Sequence, residues 1–280
     1  RKDETFFDAH ITATPFFTNS EKAGAIMVFR DVTKEKEVDK AKTEFVSLAS
    51  HQLRTPLSTI KWYTEMLLAG DVGQLTIDQI KYLQEVYNGN TRMVDLVNAL
   101  LNVSRLELGT FMVDPTLVDI NKLIQTAVED QKKEIQMRSL RVTVEIDEKL
   151  KPIVTDKNLM GIIVENLIAN AIKYTAKKGE IVVGTKKKRT TFVYSVKDNG
   201  YGIPHAQQDK IFSKLFRADN VKILDTTGTG LGLYIVHQIV ENAGGKVWFE
   251  SKENEGTTFY VELPISGMKK RGGNKSIRKG

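Results

Sequence analysis

Apolar and polar positions alternate in three rhythms along the chain, and each rhythm marks a type of element. Between residues 6 and 32, the runs ITATPFF and AGAIMVFRDV flank TNSEKAG, which is a hairpin signal. Two strands alone are marginally stable, so these read as the end of a larger domain. From DVTKEKEVDKAKTEF onward the spacing changes to threes and fours. Val38, Ala41, Phe45 and Leu48 form a heptad seam, and Asp31 or Thr33 can cap the helix start. The pattern continues to Leu68, about 50 Å at the helical rise per residue. GDVGQLT, residues 70 to 76, is a turn. Ile80, Leu83, Val86, Met93, Leu96, Val97, Leu100 and Leu101 then carry a second helix to near Gly109. A hairpin of two long helices buries only one apolar face, so the seam predicts a homodimer in which two hairpins make a four-helix bundle.

After Gly109 the texture changes again. FMVDPTLVDI, LRVTVEI, EIVVGTKKK, TFVYSVKDN, GKVWFES and TTFYVELPI are strand-like, with helical stretches at 120–138, 156–173 and 229–243 between them. The fold class is therefore α+β: a long helical hairpin followed by an α/β sandwich. The expected units are 1–33 (two strands of a truncated domain), 34–110 (the hairpin), 111–266 (the sandwich) and a disordered basic tail at 267–280. There is no internal repeat.

Composition narrows this picture. An apolar content of 41% in 280 residues supports a real core. No run is long and apolar enough to cross a bilayer. A chain that starts at Arg1 without a signal-peptide pattern reads as a piece of a longer protein. Any membrane anchor would then lie in the missing part, and the fragment itself would be cytoplasmic. With no cysteine, disulfides and thiolate metal sites are ruled out. The net charge of +6 is all in the last twelve residues, KKRGGNKSIRKG. No aromatic or base-reading motif accompanies that run, so nucleic acid is not an expected partner. Lys186 to Arg189 is a basic run expected in a solvated hairpin turn.

The helix FVSLASHQLRTPLSTI, residues 45 to 60, contains a single histidine. At about 100° per residue, Val46, Leu48, Ala49, Leu53, Pro56 and Ile60 share one apolar sector, expected to be buried. His51 lies nearly opposite, beside Glu44, Ser47, Arg54 and Ser58. Pro56 should bend the helix, because it removes a donor and crowds the carbonyl of Gln52. An exposed imidazole there can be a nucleophile or an ordinary surface histidine.

Three elements of the sandwich are also candidates. In NLMGIIVENLIANAIKYT, Asn166 and Asn170 share a helix face, with Lys173 and Tyr174 beside them. Asparagine oxygens suit a Mg²⁺ ion that keeps most of its waters, although polar residues on a solvent face look the same. In KDNGYGIP, Asp198 ends a strand before Gly200 and Gly202. Such a carboxylate can accept a hydrogen bond from an exocyclic amine, or it can simply cap a turn. In TTGTGLGLYIV, Gly228, Gly230 and Gly232 run into a helix start, which favours phosphate but is weak evidence alone.

In order and spacing, these elements resemble the sensor histidine kinases of two-component signalling, within the ATPases that share the Bergerat nucleotide fold. SHQLRTPL is similar to their H box, ENLIANAIKYT to the N box, DNGYGIP to the G1 box, IFSKLF to the F box and TGTGLGL to the G2 box. The resemblance covers residues 34 to 265, and the strands before it resemble the end of a PAS sensor domain. It implies that His51 takes the γ-phosphoryl group of ATP and passes it to an aspartate on a response regulator receiver domain. It implies Mg²⁺ on Asn170 and Asn166, with Lys173 and Tyr174 near the phosphates. Asp198 would hold the adenine amine, with Gly200, Gly202 and Ile203 shaping that wall. Residues 205 to 228 would form a mobile ATP lid anchored by Phe212 and Phe216, with Arg217 meeting phosphate charge. Gly228, Thr229, Gly230, Leu231 and Gly232 would close over the phosphates.

The sequence departs from the family at one position. The family usually carries a carboxylate after the histidine, as proton acceptor, and this chain has Gln52. An amide orients a ring but takes up no proton at neutral pH. Thr55, one turn after His51, matches the position that guides water in regulator dephosphorylation. The alternative expectation is a dimeric scaffold that docks a regulator and binds nucleotide with little turnover.

Overall fold

The computed structural model describes residues 7–18, 21–107, 113–222 and 228–268, without the side chains of residues 16–18, 21–23, 43, 107 and 222. Strand β1 (Ala9–Thr18) pairs antiparallel with β2 (Glu21–Asp31), with Thr18 opposite Glu21. The turn is therefore shorter than the TNSEKAG expected, and both strands extend into it. Helix α1 (Thr33–Ala69) follows almost at once. Asp31 Oδ1 accepts from the Thr33 backbone N–H at 3.0 Å and its hydroxyl at 2.7 Å, and the Val32 N–H donates to Asp8 O at 2.9 Å. Helix α1 runs through Pro56 without interruption and ends at Gly70, whose φ of 83° suits a residue without Cβ. Helix α2 (Ile77–Glu107) starts with a capping box. The Thr76 N–H donates to Gln79 Oε1 at 2.8 Å, and the Gln79 N–H donates to Thr76 Oγ1 at 3.3 Å.

The two helices meet along Ser50, Leu57 and Thr64 on α1, spaced by sevens, and along Asn90, Val97 and Leu101 on α2, all buried. Polar bonds fix the register. The Asn90 amide donates to Leu57 O at 2.8 Å, Arg54 to Asn98 Oδ1 at 2.8 Å, and the Tyr87 hydroxyl to Glu65 at 3.1 Å. This corrects the expected buried sector. Val46 and Ala49 are half-buried, whereas Leu48, Leu53, Pro56 and Ile60 are exposed. The face turned to α2 lies roughly 90° around the helix from that sector, so most of the sector is left uncovered among the described residues.

The second domain is two layers. A five-stranded sheet has the order β4 (Arg141–Glu145), β6 (Glu180–Lys187), β7 (Thr191–Asp198), β9 (Gly256–Pro264), β8 (Lys246–Lys252), with β4 parallel to β6 and the other pairs antiparallel. Helices α3 (Ile120–Asp130), α5 (Lys157–Tyr174) and α7 (Gly232–Asn242) share one core with it. Short strands β3 (Thr116–Val118) and β5 (Ile153–Thr155) pair beside it. β5 was not expected, because three residues are too few to show an alternation. The helix expected over 120–138 is broken at Gln131, whose N–H turns back to Val128 O. The short helix α4 (Lys132–Met137) restarts there and brings Ile135 onto the core. Further on lie a 3-10 turn (His205–Lys210) and helix α6 (Asp219–Lys222).

The last turn of α2 belongs to this second core through Val103 and Leu106. The expected boundary at 110/111 falls in residues 108–112, outside the described residues, as do most of the tail (269–280) and part of the expected lid (223–227). Lys188 is exposed in the β6–β7 turn, as expected of that basic run, and pairs there with Glu262 at 2.9 Å.

Candidate functional site

The imidazole of His51 is exposed on α1, clear of the face that meets α2. Gln52 and Thr55 are exposed next to it, and the Arg54 guanidinium is held by Asn98. Five residues on, Pro56 has no N–H to offer the Gln52 carbonyl. The ring thus stands in solvent on a helix whose register is fixed from the other side.

A cleft of about 180 Å³ opens in the second domain. Its first wall is the C-terminal half of α5. Asp156 caps that helix through the N–H groups of Asn158 and Leu159 at 2.9 and 3.0 Å. A fully buried stripe of Met160, Ile163, Val164 and Leu167 then fixes its rotation, leaving Asn166 and Asn170 half-buried on the rim. Both line the cleft, as do Lys173 and Tyr174. The Asn166 amide nitrogen donates to Ile162 O at 2.7 Å. Its oxygen faces Gly232, where an added Cβ would lie 2.4 Å away. A larger residue there would have to displace the Asn166 amide from the cleft rim.

The second wall comes from the sheet. Alternation along β7 turns Phe192, Tyr194, Val196 and Asp198 to the helix layer. Asp198 is 7% exposed. Its Oδ1 accepts the N–H groups of Gly200 at 2.9 Å and Thr257 at 3.2 Å, and neither bond engages Oδ2. Burial pushes its carboxyl from the ordinary 3.8 up to about 6, against the two backbone bonds that favour the anion. Gly202 and Ile203 line the cleft beyond it. Gly202 has a φ of 62°, and a Cβ there would sit 2.0 Å from the Lys252 carbonyl oxygen.

The third wall holds Phe216, Arg217, Gly228, Thr229, Gly230 and Gly232. Arg217 donates to Gly228 O at 3.2 Å. Helix α7 starts at Gly232 without a side-chain cap, so its first N–H groups supply positive potential at the rim.

Gly200, Phe212 and Leu231 lie outside the lining. Gly200 backs it by holding Asp198. Phe212 packs between His237 and Phe249 at 5.1 and 5.8 Å, and Leu231 is buried in the core. Sequence reasoning missed Thr257 and Phe259. Both face inward on β9 in step with Asp198 on β7, so the alternation of TTFYVELP carried the signal. Ile211, the first residue of IFSKLF, and Ala218 and Val221, within the expected lid, also line the cleft, though none was singled out in the sequence.

Two family profiles match the two halves. Residues 41–109 match the "His Kinase A (phospho-acceptor) domain", and residues 155–267 match the "Histidine kinase-, DNA gyrase B-, and HSP90-like ATPase". The chain belongs to the sensor histidine kinases. This histidine kinase chain is 32% identical over 262 residues to the sensor protein kinase WalK of Staphylococcus saprophyticus, spanning 92% of the chain and 41% of that protein. A WalK sequence from Staphylococcus aureus is 32% identical over 260 residues, spanning 92% of the chain and 61% of that protein. The chain thus spans about half the length of these curated relatives. Two solved structures share the fold. Full-length ShkA in complex with AMPPNP aligns with a TM-score of 0.66 at 24% identity, over 79% of this chain and 45% of ShkA. ThkA in complex with the response regulator protein TrrA aligns with a TM-score of 0.56 at 24% identity, over 94% of this chain and 76% of that one.

The candidate groups of this kinase chain lie on two units, joined where the last turn of α2 enters the second core. The imidazole sits on the hairpin. The cleft, with two cations, one buried carboxylate and a helix start, sits between α5, α7 and the sheet.

Proposed function

We propose that the chain is the catalytic portion of a dimeric autokinase, in which His51 takes the γ-phosphoryl group of ATP and yields it to an aspartate of a response regulator receiver domain. The observation that carries this reading is the convergence of Asn170, Asp198, Arg217 and Gly230, spread over sixty residues, on one cleft. Asp198 accepts from the adenine exocyclic amine. Lys173, Arg217 and the start of α7 would take the phosphates, and Asn166 and Asn170 would offer amide oxygens to Mg²⁺. Among the described residues no group of three His, Asp or Glu is placed to hold a metal, so Mg²⁺ would depend on these amides and on phosphate oxygens. When bound, it neutralises phosphate charge, which phosphoryl transfer chiefly requires.

Dimerisation is supported by the hairpin's unpaired apolar sector: Phe45 is 71% and Leu48 63% exposed, and Ile80, Val86 and Met93 are exposed on α2. A second copy would cover it in a four-helix bundle. The β1–β2 hairpin fits the end of a PAS-like sensor domain, because Ile26, Met27, Val28 and Phe29 are all exposed. A strand apolar on both faces belongs inside a larger fold. No helix of the described residues is long and apolar enough to cross a membrane. Thr55 beside His51 fits a role in regulator dephosphorylation.

Incubation with γ-labelled ATP and Mg²⁺ tests the proposal. Acid-labile, base-stable label is expected on the wild-type chain and none on His51→Ala. Label retained by His51→Ala would overturn it.

A further inference from the structure

Helix α5 ends beside the cleft, and its last four carbonyls have no helical N–H to meet them. Each is satisfied individually. Thr175 bonds Ala171 O through its N–H at 3.1 Å and its hydroxyl at 2.6 Å. The Tyr201 N–H bonds Tyr174 O at 3.1 Å. The remaining two, Ile172 O and Lys173 O, both accept from Nη1 of Arg138, the second at 2.9 Å.

Thr175 continues the same chain segment, and Tyr201 belongs to the turn after Asp198. Arg138 comes from elsewhere, the corner between α4 and β4. That corner is tightly fixed. Ser139 takes a φ of 53°, the Leu140 N–H returns to Ile135 O at 2.9 Å, and the Lys178 N–H donates to Arg138 O at 3.0 Å. Leu140 is buried. The half-buried guanidinium is therefore delivered from a rigid support onto the end of the helix that carries Lys173 and Tyr174.

A helix C-terminus carries partial negative charge, the wrong sign next to a polyphosphate. A cation on its last carbonyls offsets that charge and locks the turn. We propose that Arg138 is a positioning residue for the cleft, fixing the Lys173–Tyr174 end of α5 and cancelling its negative dipole where the nucleotide phosphates bind. This rests on the nucleotide reading of the cleft. The adenine contact at Asp198 is held by Gly200 and Thr257, and the turn that follows it meets α5 at the Tyr174 carbonyl, one residue beyond the two carbonyls that Arg138 holds.

The test compares Mg²⁺–ATP with adenosine, each titrated onto the full chain by NMR or calorimetry. Arg138→Met is expected to weaken Mg²⁺–ATP about tenfold, the order expected of a partly buried charge at a helix end, and to leave adenosine within about twofold. Arg138→Lys, which keeps the charge but loses the planar fork, is expected to fall between. Equal loss for both ligands, as a purely structural role would give, overturns the proposal, and so does unchanged Mg²⁺–ATP affinity. If Arg138→Met does not fold, Arg138→Lys decides by the same ratio. A wild-type chain that binds neither ligand overturns the nucleotide reading instead.

Discussion

The sandwich and the helical hairpin both carry apolar residues in regular rhythm yet are completed in different ways. From β3 to β9 the chain buries its own apolar surface: Ile124, Met160, Ile163, Val183 and Val236 are wholly inaccessible. In the hairpin, α1 and α2 bury a narrow, partly polar strip through Ser50, Leu57 and Asn90, and leave Phe45, Leu53, Ile60 and Val86 in water. The sandwich is a finished unit with a cleft cut into it. The hairpin is half of one, and the half that is missing must be supplied by another surface. The reactive groups follow the same division. In the proposed function Asp198 would work by being taken out of water, whereas His51 would have to stay in it to reach a nucleotide and then a receiver aspartate.

The largest expected effect separates the two halves. Leu53→Asp places a charge in the seam where a second hairpin would pack, and should weaken the dimer at least about a hundredfold. Light scattering should then find monomers while the melting of the sandwich is unchanged. A dimer that persists would move its interface elsewhere. The reverse experiment is Ile163→Ala. This should cost the sandwich about 3 kcal/mol, read as a lower melting transition, without disturbing association.

Asp198→Asn sharpens the contrast between buried and exposed chemistry. The carboxyl titrates near 6 when folded and at 3.8 when ordinary. Stability is therefore full below about pH 4 and is lost as pH rises through 6, by at most about 3 kcal/mol. The amide has no such penalty, so the variant should melt higher than wild type at pH 8 and no higher at pH 4. It should nonetheless bind ATP more weakly at neutral pH. Wild-type affinity should drop as pH falls through 6, because protonation removes the acceptor, and the variant should lose that dependence. Unaltered ATP affinity in Asp198→Asn would count against the adenine assignment.

The smallest effect concerns the exposed site. Gln52→Glu restores a proton acceptor beside His51 and should speed autophosphorylation about tenfold, less than a full general-base contribution because water already reaches this exposed ring. The rate of label incorporation reads this directly. An unchanged or slower rate would mean that proton removal does not limit transfer.

Much of this was legible in the residues. The exposure of His51 follows from 100° per residue and needs no tertiary information. The inward turn of Asp198 follows from the alternation of TFVYSVKD, and the same rule would have found Thr257 and Phe259. The face on which α1 meets α2 was not legible. A helical wheel finds the most apolar sector, and here that sector is the uncovered one; the intramolecular strip runs through Ser50 and Thr64, which look polar in sequence. Arg138 was equally invisible, because its partners are backbone carbonyls 34 and 35 residues away, and carbonyls are alike at every position.

The sequence alone set the periodicities, and with them the helices, most of the strands and the side on which each reactive side chain emerges, because these depend on local geometry repeated residue by residue. The tertiary structure decided which apolar face found a partner, how the end of α5 was neutralised, and that a carboxylate at a strand end became a buried acid. Those outcomes depend on which distant groups come to share a volume from which water is excluded, and no local repeat encodes that.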